Sequence, residues 1–134
     1  MNTDAEHTEQ LIARYSGTTP VLSRWSYRSS EPFTITAAFQ TSESRWVEWV
    51  FARDLLVEGL IAPSGLGDVL LRPDGFGGIE SLVLEISSPE GHAMLELELA
   101  AVDRFLARTM AMVPLGEESE HFDVDKLIDE ITNV

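Results

Sequence analysis

The sequence predicts an α+β fold in which an antiparallel β-sheet comes first along the chain and helices follow it. Apolar and polar residues alternate over residues 33–40, 81–86 and 94–99, as in strands with one buried face. Apolar residues then recur three and four positions apart over residues 100–113 and 124–131, as in amphipathic helices. The 134 residues suffice for one hydrophobic core and are few for two, so we expect one domain over residues 1–134.

Strands are predicted on both sides of a polar loop at residues 41–45. Before the loop, the apolar face of the alternating run contains Phe33, Ile35, Ala37 and Phe39. After the loop, the apolar face alternates with Glu48 and contains Val47, Trp49 and Phe51. Residues 21–27 are also rich in strand-forming side chains, whereas residues 6–15 fit either a helix or a strand.

Alternating apolar and polar residues at 81–86 and 94–99 predict a hairpin whose turn spans residues 87–92. In that turn Pro89 fixes φ, and Gly91 is expected to adopt a positive φ. One face of the hairpin is apolar, and the other carries Glu85, Glu96 and Glu98. The pattern indicates an antiparallel sheet with one face in water.

The first helix is predicted over residues 52–58, directly after the strand that ends at Phe51. Gly59 is expected to end it as a left-handed C′ residue. Leu60 would then fold back onto Leu55, which is the hydrophobic contact of a Schellman motif.

Two more helices are predicted near the C-terminus. One covers residues 100–112 and is ended by Pro114. The other begins after Asp123, a natural N-cap residue, and Phe122 is expected to pack against Leu127 as a hydrophobic staple.

The charge balance is strongly acidic. Asp and Glu number 23 against nine Lys and Arg, which gives a formal net charge of −14 at pH 7. The acidic linker at residues 115–120 and the helix after it carry much of this charge, and we expect their acids to be solvated. A surface of this sign repels nucleic-acid backbones and anionic membranes. No apolar run is long enough for insertion into a bilayer.

The motifs of common catalytic and metal sites are missing. The sequence has no cysteine, which excludes disulfides and thiolate chemistry and suits a cytoplasmic protein. His7, His92 and His121 stand alone, without metal-ligand spacing. No Gly-x-Ser-x-Gly motif occurs, and the glycine-rich loops at residues 63–68 and 73–78 lack the third glycine and the lysine of phosphate-binding loops. We therefore expect no catalytic residue, no metal and no cofactor.

Basic and aromatic residues are interleaved over residues 24–28 and meet again at Arg45-Trp46, a texture that nucleic-acid-binding surfaces share. The alternative is a strand whose Trp25 and Tyr27 pack in the core while its arginines contact water. The net charge favours this alternative, because phosphate contacts supply most nonspecific affinity.

One strand indicates a protein interface. If Val47 and Trp49 point inward, then Trp46 and Val50 point outward beside Glu48. An exposed Trp with apolar neighbours is typical of an interface, although the C-terminal helices or a second subunit could equally cover it. The candidate interface residues are Trp46, Val50, Leu60 and Leu66.

A longer pattern runs through the centre of the chain, as VEWVFARDLLVEGL at residues 47–60 and PSGLGDV at residues 63–69. Further segments follow in order: SSPEG at residues 87–91, FLART at 105–109, VP at 113–114 and FDVD at 122–125. Over residues 20–130 the chain closely resembles the SsgA-like proteins, actinobacterial regulators of sporulation and cell division, and it is most like the SsgB type. Arg53-Asp54 in this pattern is expected to form a structural ion pair or a hydrogen bond at the helix start.

The resemblance implies a non-enzymatic regulator that acts by protein–protein contact. It implies recruitment or positioning of the division protein FtsZ at septa, in the cytoplasm, together with an SsgA-type paralogue and as a homotrimer. The family fold is similar to that of whirly-type proteins, with a curved antiparallel β-sheet packed against C-terminal helices, so residues 6–15 are expected to form a strand. Binding of single-stranded nucleic acid, as in whirly-type proteins, is the alternative function, but likeness of fold does not carry function with it.

Overall fold

A computed structural model of the chain describes residues 4–15, 18–75, 80–89, 91–122 and 124–132. The elements within these residues alternate twice between a run of strands and a helix. They are β1 Glu6–Tyr15, β2 Thr19–Arg28, β3 Thr34–Ser42, β4 Arg45–Ala52, α1 Arg53–Gly59, β5 Ser64–Leu66, β6 Val69–Asp74, β7 Ser81–Ser88, β8 Gly91–Glu98, α2 Leu99–Met112, α3 Glu118–His121 and α4 Val124–Thr132.

The strands form one antiparallel sheet in the order β4-β3-β2-β1-β8-β7-β6-β5. The sheet therefore consists of two meanders, each of four strands that follow one another along the chain. The meanders join where β1 meets β8, at the pairs Arg14–Glu96 and Tyr15–Leu95. The sheet curls into a half-barrel, and the predicted α+β class with a curved antiparallel sheet is confirmed.

The core fills the concave face of the sheet. Strand residues that point inward alternate with residues that point to the convex face, as the pleat requires. α2 packs against β1, β7 and β8. Its Phe105 lies edge-on to Trp25 with ring centroids 6.0 Å apart and stacks on His7 at 5.9 Å. The largest fully buried core side chains are Trp25, Tyr27, Ile35, Leu56, Leu71, Leu82, Leu84, Leu97, Val102 and Phe105.

The ambiguous segment at residues 6–15 is a strand, as the family resemblance implied. β1 pairs with β2 along its whole length, from Glu6–Arg28 to Tyr15–Thr19. Leu11 and Ala13 lie on the inner face and Ile12 lies on the outer face, 61% exposed. Tertiary pairing with β2 therefore decides between the two conformations that the local sequence allowed.

The predicted hairpin is confirmed as β7 and β8, and the helix predicted over residues 100–112 is confirmed as α2. Within the hairpin turn, the prediction of a positive φ at Gly91 is wrong, since among the described glycines only Gly67 and Gly116 have one. Gly67, with φ of 64°, forms the turn between β5 and β6. A left-handed backbone of this kind strongly favours glycine.

The predicted Schellman ending at Gly59 is also wrong. Gly59 is the last residue of α1 and has no positive φ, and Leu60 after it remains in the right-handed helical region. The structure gives a different reason for this glycine. A Cβ at Gly59 would lie 2.6 Å from the Cβ of Leu71, so only glycine allows α1 to pack this closely on β6.

The region after α2 differs from a simple solvated linker. Gly116 has φ of 91°, and the short α3 follows it with Glu118 buried. Phe122 packs edge-on against Phe33, with ring centroids 6.0 Å apart, whereas Leu127 is 40% exposed, so the predicted staple onto Leu127 does not bury that side chain. The predicted N-cap Asp123 lies outside the described residues.

Candidate interaction surfaces

A buried arginine connects the first helix with the end of α2. The side chain of Arg53 is 1% exposed, and its Nη1 donates hydrogen bonds to the carbonyl oxygens of Thr109 at 3.2 Å and Val113 at 2.8 Å. These carbonyls belong to the last turn of α2 and its C-cap, where the helix has unpaired acceptors and a partial negative charge. Arg53 thus caps α2 from across the core.

The charge of Arg53 is balanced by Glu118. Its Nη2 lies 3.5 Å from Oε1 of Glu118, and its guanidinium carbon lies 5.0 Å from the centroid of the Tyr27 ring. A buried charge needs a partner of opposite sign, because removing an unpaired ion from water costs about several kcal/mol. The structural ion pair expected for Arg53 is confirmed with Glu118 as the partner, and its side-chain hydrogen bonds go to the end of α2 rather than to the start of α1, where Asp54 is exposed.

Tyr27 completes this cluster as a neutral side chain. Its hydroxyl donates a hydrogen bond of 2.8 Å to the carbonyl oxygen of Pro32. Burial raises the pKa of Tyr27 to about 12; the nearby Arg53 guanidinium acts to lower this pKa and the Glu118 carboxylate acts to raise it. The phenol is therefore protonated at neutral pH and serves as a hydrogen-bond donor rather than as an acid or base.

The groups that could support catalysis or bind metal lie apart. Within the described residues, no three His, Cys, Asp or Glu side chains come together as a metal site. His7 stacks on Phe105, while His92 lies 3.8 Å from Glu85 on the sheet. Ser64 donates its hydroxyl proton to the carbonyl oxygen of Leu55 at 3.1 Å, which is a structural contact.

The basic and aromatic segment at residues 24–28 is the strand β2. Its two aromatic side chains are in the core, with Trp25 0% and Tyr27 1% exposed, so neither offers a face on which a base could stack. Arg28 is exposed and forms ion pairs with Asp4 at 3.2 Å and Glu6 at 3.0 Å. The interpretation in which the aromatics pack and the arginines contact water is confirmed for this strand.

The candidate interface residues Trp46 and Val50 both lie on β4, on the convex face. Trp46 pairs with Gln40 and Val50 pairs with Thr36 across the strand. Trp46 is half-buried because the Arg24 guanidinium lies over its ring, 4.6 Å from the centroid, whereas Val50 is 60% exposed. A cation held over an aromatic face in this way is a favourable contact.

The other two candidates are not part of that surface. Leu60 follows α1 and is half-buried against the core, where it lines a depression with Ile61 and Pro73. The side chain of Leu66 lies outside the described part of the chain. The structure therefore brings Trp46 and Val50 together on one strand and leaves Leu60 elsewhere.

A second apolar surface lies on α4, outside the candidate residues that the sequence indicates. No residue of α4 is buried. The four apolar side chains that recur at helical spacing are all exposed: Val124 53%, Leu127 40%, Ile128 52% and Ile131 64%. Their periodicity is visible in the sequence and predicts an amphipathic helix, but it does not show that the apolar face stays in solvent.

These features define the class as α+β proteins with a curled antiparallel sheet, one helix packed in its concave face and apolar side chains left on the surface. None of the described helices has the length and apolar character needed to cross a bilayer. The chain belongs to the SsgA family of sporulation and cell division regulators, since the family model described as "Streptomyces sporulation and cell division protein, SsgA" matches residues 21–118.

Relatives of the SsgB type support this assignment. The chain is 42% identical over 122 residues to the sporulation-specific cell division protein SsgB of Streptomyces coelicolor, which covers 91% of this chain and 89% of that protein. It is 47% identical over 111 residues to the SsgB of Kineococcus radiotolerans, covering 81% of this chain and 67% of that protein. The resemblance found in the sequence is confirmed.

Solved structures show the same fold. One is a structure reported under the description "Mutations in SsgB correlate to longitudinal cell division during sporulation of Streptomyces coelicolor". It matches with a TM-score of 0.84 at 41% identity and covers 89% of this chain and 97% of that one. The SsgA-like sporulation-specific cell division protein of Thermobifida fusca matches with a TM-score of 0.80 at 34% identity and covers 96% of each chain.

Proposed function

We propose that this chain regulates sporulation-specific cell division by protein–protein contact, and that it helps to recruit or position FtsZ at septa together with an SsgA-type paralogue. The observation that carries the proposal is the family membership, with relatives named sporulation-specific cell division protein SsgB over most of the chain. The family resemblance supplies FtsZ and the paralogue as partners. The protein then acts in the cytoplasm, at the septum, and carries out no catalysis.

The exposed apolar surfaces support action by contact. Val50 on β4 and the apolar face of α4 together leave several large hydrophobic side chains in solvent. Large exposed apolar side chains that share one face of an element, as on α4, are a frequent mark of protein interfaces. Trp46, whose ring is already held by Arg24, adds an aromatic anchor of the type that often dominates binding energy.

The proposed assembly is a homotrimer in which α4 packs against neighbouring copies. α4 has nine residues and no buried side chain, and a helix shorter than about 12–15 residues is marginal in water by itself. Packing its apolar face against another copy would supply the missing tertiary support.

The proposal is tested with a fluorescent fusion in sporulating cells in which FtsZ and DNA are also labelled. Bands that coincide with FtsZ support the proposed function. Signal over the nucleoids would instead support the whirly-like alternative of single-stranded nucleic-acid binding, and a diffuse signal would refute a septal role.

A second test measures direct contact with polymerised FtsZ by co-sedimentation. The variants Trp46→Ala and Val50→Asp are expected to reduce co-sedimentation at least several-fold while the protein remains folded. Arg104→Ala, at an exposed position of α2, serves as the matched control and should bind normally. Normal binding by both β4 variants would exclude this surface as the contact.

A further inference from the structure

The two edges of the sheet are very different. β5 forms one edge and has three residues, while β4 forms the other edge and has eight. Among the described strands, β4 pairs only with β3. Natural sheets usually protect a long edge with lysine, proline or a covering element, since its free N–H and C=O groups can pair with another chain. β4, with sequence RWVEWVFA, contains neither lysine nor proline.

The backbone hydrogen bonds show which residues of β4 face this open edge. Arg53 donates its N–H to the carbonyl oxygen of Phe33 at 2.8 Å, in register with the β3–β4 ladder. Hydrogen-bonded and non-bonded pairs alternate in an antiparallel ladder. Val47, Trp49 and Phe51 therefore bond to β3. The alternate residues direct their N–H and C=O groups to the open edge, and these are Trp46, Glu48, Val50 and Ala52.

Cavities lie at both ends of this edge. The cavity near the start of β4 has a volume of about 250 Å³ and is lined on the concave face by Val47 and Trp49, with Leu95 opposite. The cavity near the end of β4 has a volume of about 320 Å³, and Phe51 and Leu55 are among its lining residues. Each is large enough for an apolar side chain, and side chains on one face of an added strand recur every second residue.

We propose that β4 accepts an extended segment of another protein as an additional strand, with apolar residues facing the concave side and basic residues facing the convex side. This inference rests on the proposed function and specifies how the partner is bound. Main-chain hydrogen bonds to the edge supply affinity, and the two cavities select the side chains, as in other cases of β-strand addition.

One charge at the centre of the edge favours a basic partner residue. Glu48 lies on the convex face at the centre of β4 and is exposed, whereas Arg24 and Arg45 place positive charge near the start of the strand. A residue directly opposite it in the added strand shares that face, and an opposite-charge pair there is favourable. The formal charge of −14 also attracts a basic segment at long range.

A second copy of β4 fits this edge less well. Antiparallel self-pairing centred on Glu48 would place two glutamates directly opposite each other, and like charges in that position are destabilising. Such a contact also has two-fold symmetry, which does not close a trimer. Pairing of two copies is therefore an outcome that the experiment must distinguish.

Amide hydrogen exchange tests the edge in the full-length protein. Without ligand, the N–H groups of Glu48 and Val50 should exchange fast, and those of Trp49 and Phe51 should exchange slowly. The probe is the capped peptide Lys-Val-Lys-Val-Lys-Val-Lys, and it should slow exchange at Glu48 and Val50 while leaving Trp49 and Phe51 unchanged. Slow exchange at Glu48 and Val50 before the peptide is added, becoming faster when the protein is diluted, would indicate self-pairing and overturn the proposal.

Substitution of Glu48 separates backbone pairing from side-chain contact. Glu48→Pro removes an N–H that faces the open edge and keeps the bonds to β3, so the sheet tolerates it. It should weaken peptide binding about tenfold or more, whereas Glu48→Ala, which keeps the N–H, should weaken it only a few-fold. Equal losses in both variants, or binding of the matched peptide Glu-Val-Glu-Val-Glu-Val-Glu with the same affinity, would overturn the proposal.

The same variants distinguish this inference from the proposed function. If the Glu48→Pro variant binds FtsZ and localises normally, and the peptide fails to bind the unaltered chain, strand addition is wrong and the regulatory function stands. If the unaltered chain neither localises to septa nor binds FtsZ but the peptide protects Glu48 and Val50, the edge binds extended segments and the proposed partner is wrong.

Discussion

The helices α2 and α4 begin from the same kind of sequence and reach different environments. Both show apolar residues three and four positions apart. α2 buries Val102, Phe105, Leu106 and Thr109, whereas α4 buries no residue. The comparison shows that helical periodicity predicts an apolar face but does not identify the surface that covers it.

The two helices differ in how the rest of the chain fixes them. α2 begins directly after β8, so the sheet orients its first turn, and Arg53 holds its last turn through two carbonyl oxygens. α4 follows the packed Phe122 and lies outside the core. In α2, contacts at both helix ends accompany burial of the apolar face.

The largest expected effect is the loss of a buried side chain on α2. Phe105 is 0% exposed and contacts the rings of Trp25 and His7, so Phe105→Ala should lower the free energy of unfolding by about 3–5 kcal/mol. Urea unfolding measures the change. Arg104→Ala, on the exposed face of the same helix, should change it by less than about 0.5 kcal/mol. A loss as small as the control's for Phe105→Ala would mean that α2 is no better packed than α4.

The next effect concerns the charge that holds the end of α2. Glu118→Ala removes the carboxylate beside buried Arg53 and should lower the free energy of unfolding by about 3 kcal/mol. Its neighbour Glu117 is exposed, and Glu117→Ala is the control, with little expected change. Equal stability of the two variants would show that Glu118 is solvated, as the sequence predicts for the linker at residues 115–120.

The pH dependence of stability sharpens the description of the same cluster. The ordinary pKa of tyrosine is 10.0, and burial raises that of Tyr27 to about 12 in the folded state. Below pH 10 the phenol is protonated in the folded and the unfolded state, so Tyr27 makes its full contribution to the free energy of unfolding. As pH rises from 10 to 12, only the unfolded chain loses the proton, so stability should fall by about 2–3 kcal/mol.

Tyr27→Phe should remove this part of the pH dependence. Urea unfolding of both proteins at several pH values between 9 and 12 gives the comparison, with the range set by the pKa values of Tyr27. Parallel curves for the two proteins would show that Tyr27 is not the group responsible.

The smallest effect on the fold of a single chain is expected on α4. Leu127→Asp and Ile131→Asp change exposed side chains, so the folded chain should lose less than about 0.5 kcal/mol of intrinsic stability. The same variants should convert a trimer to monomers in sedimentation experiments. Asp125→Asn, on the polar face, is the control and should leave assembly unchanged. A trimer that survives both variants would contradict the assembly proposed for α4.

The strands β5 and β6 lie in a region whose local sequence does not predict strands. The glycine-rich segments at residues 63–68 and 73–78 predict loops, although Ser64–Leu66 is a strand and Pro73 and Asp74 end the strand Val69–Asp74. The sheet tolerates Pro73 because β6 lies near its edge. Local composition indicates loops here. The segments are strands because β5 pairs with β6 and β6 pairs with β7.

The candidate surfaces were predictable only in part. The alternation around Glu48 correctly placed Trp46 and Val50 on the face opposite Val47 and Trp49. It did not show that Arg24, from a different strand, covers Trp46. Nor did it show that β4 ends the sheet, because strand order depends on the pairing of distant segments.

The sequence by itself determined the features that depend on local periodicity and composition: the half-buried strand at residues 33–40, the hairpin of β7 and β8, the helix α2 and the absence of cysteine chemistry. Only the tertiary structure decided that residues 6–15 extend along β2, that Gly59 must lack a Cβ beside Leu71, and that Glu118 pairs with Arg53. The physical reason is that local patterns record which side of an element is apolar. Which distant residues meet it depends on how the whole chain closes around one core.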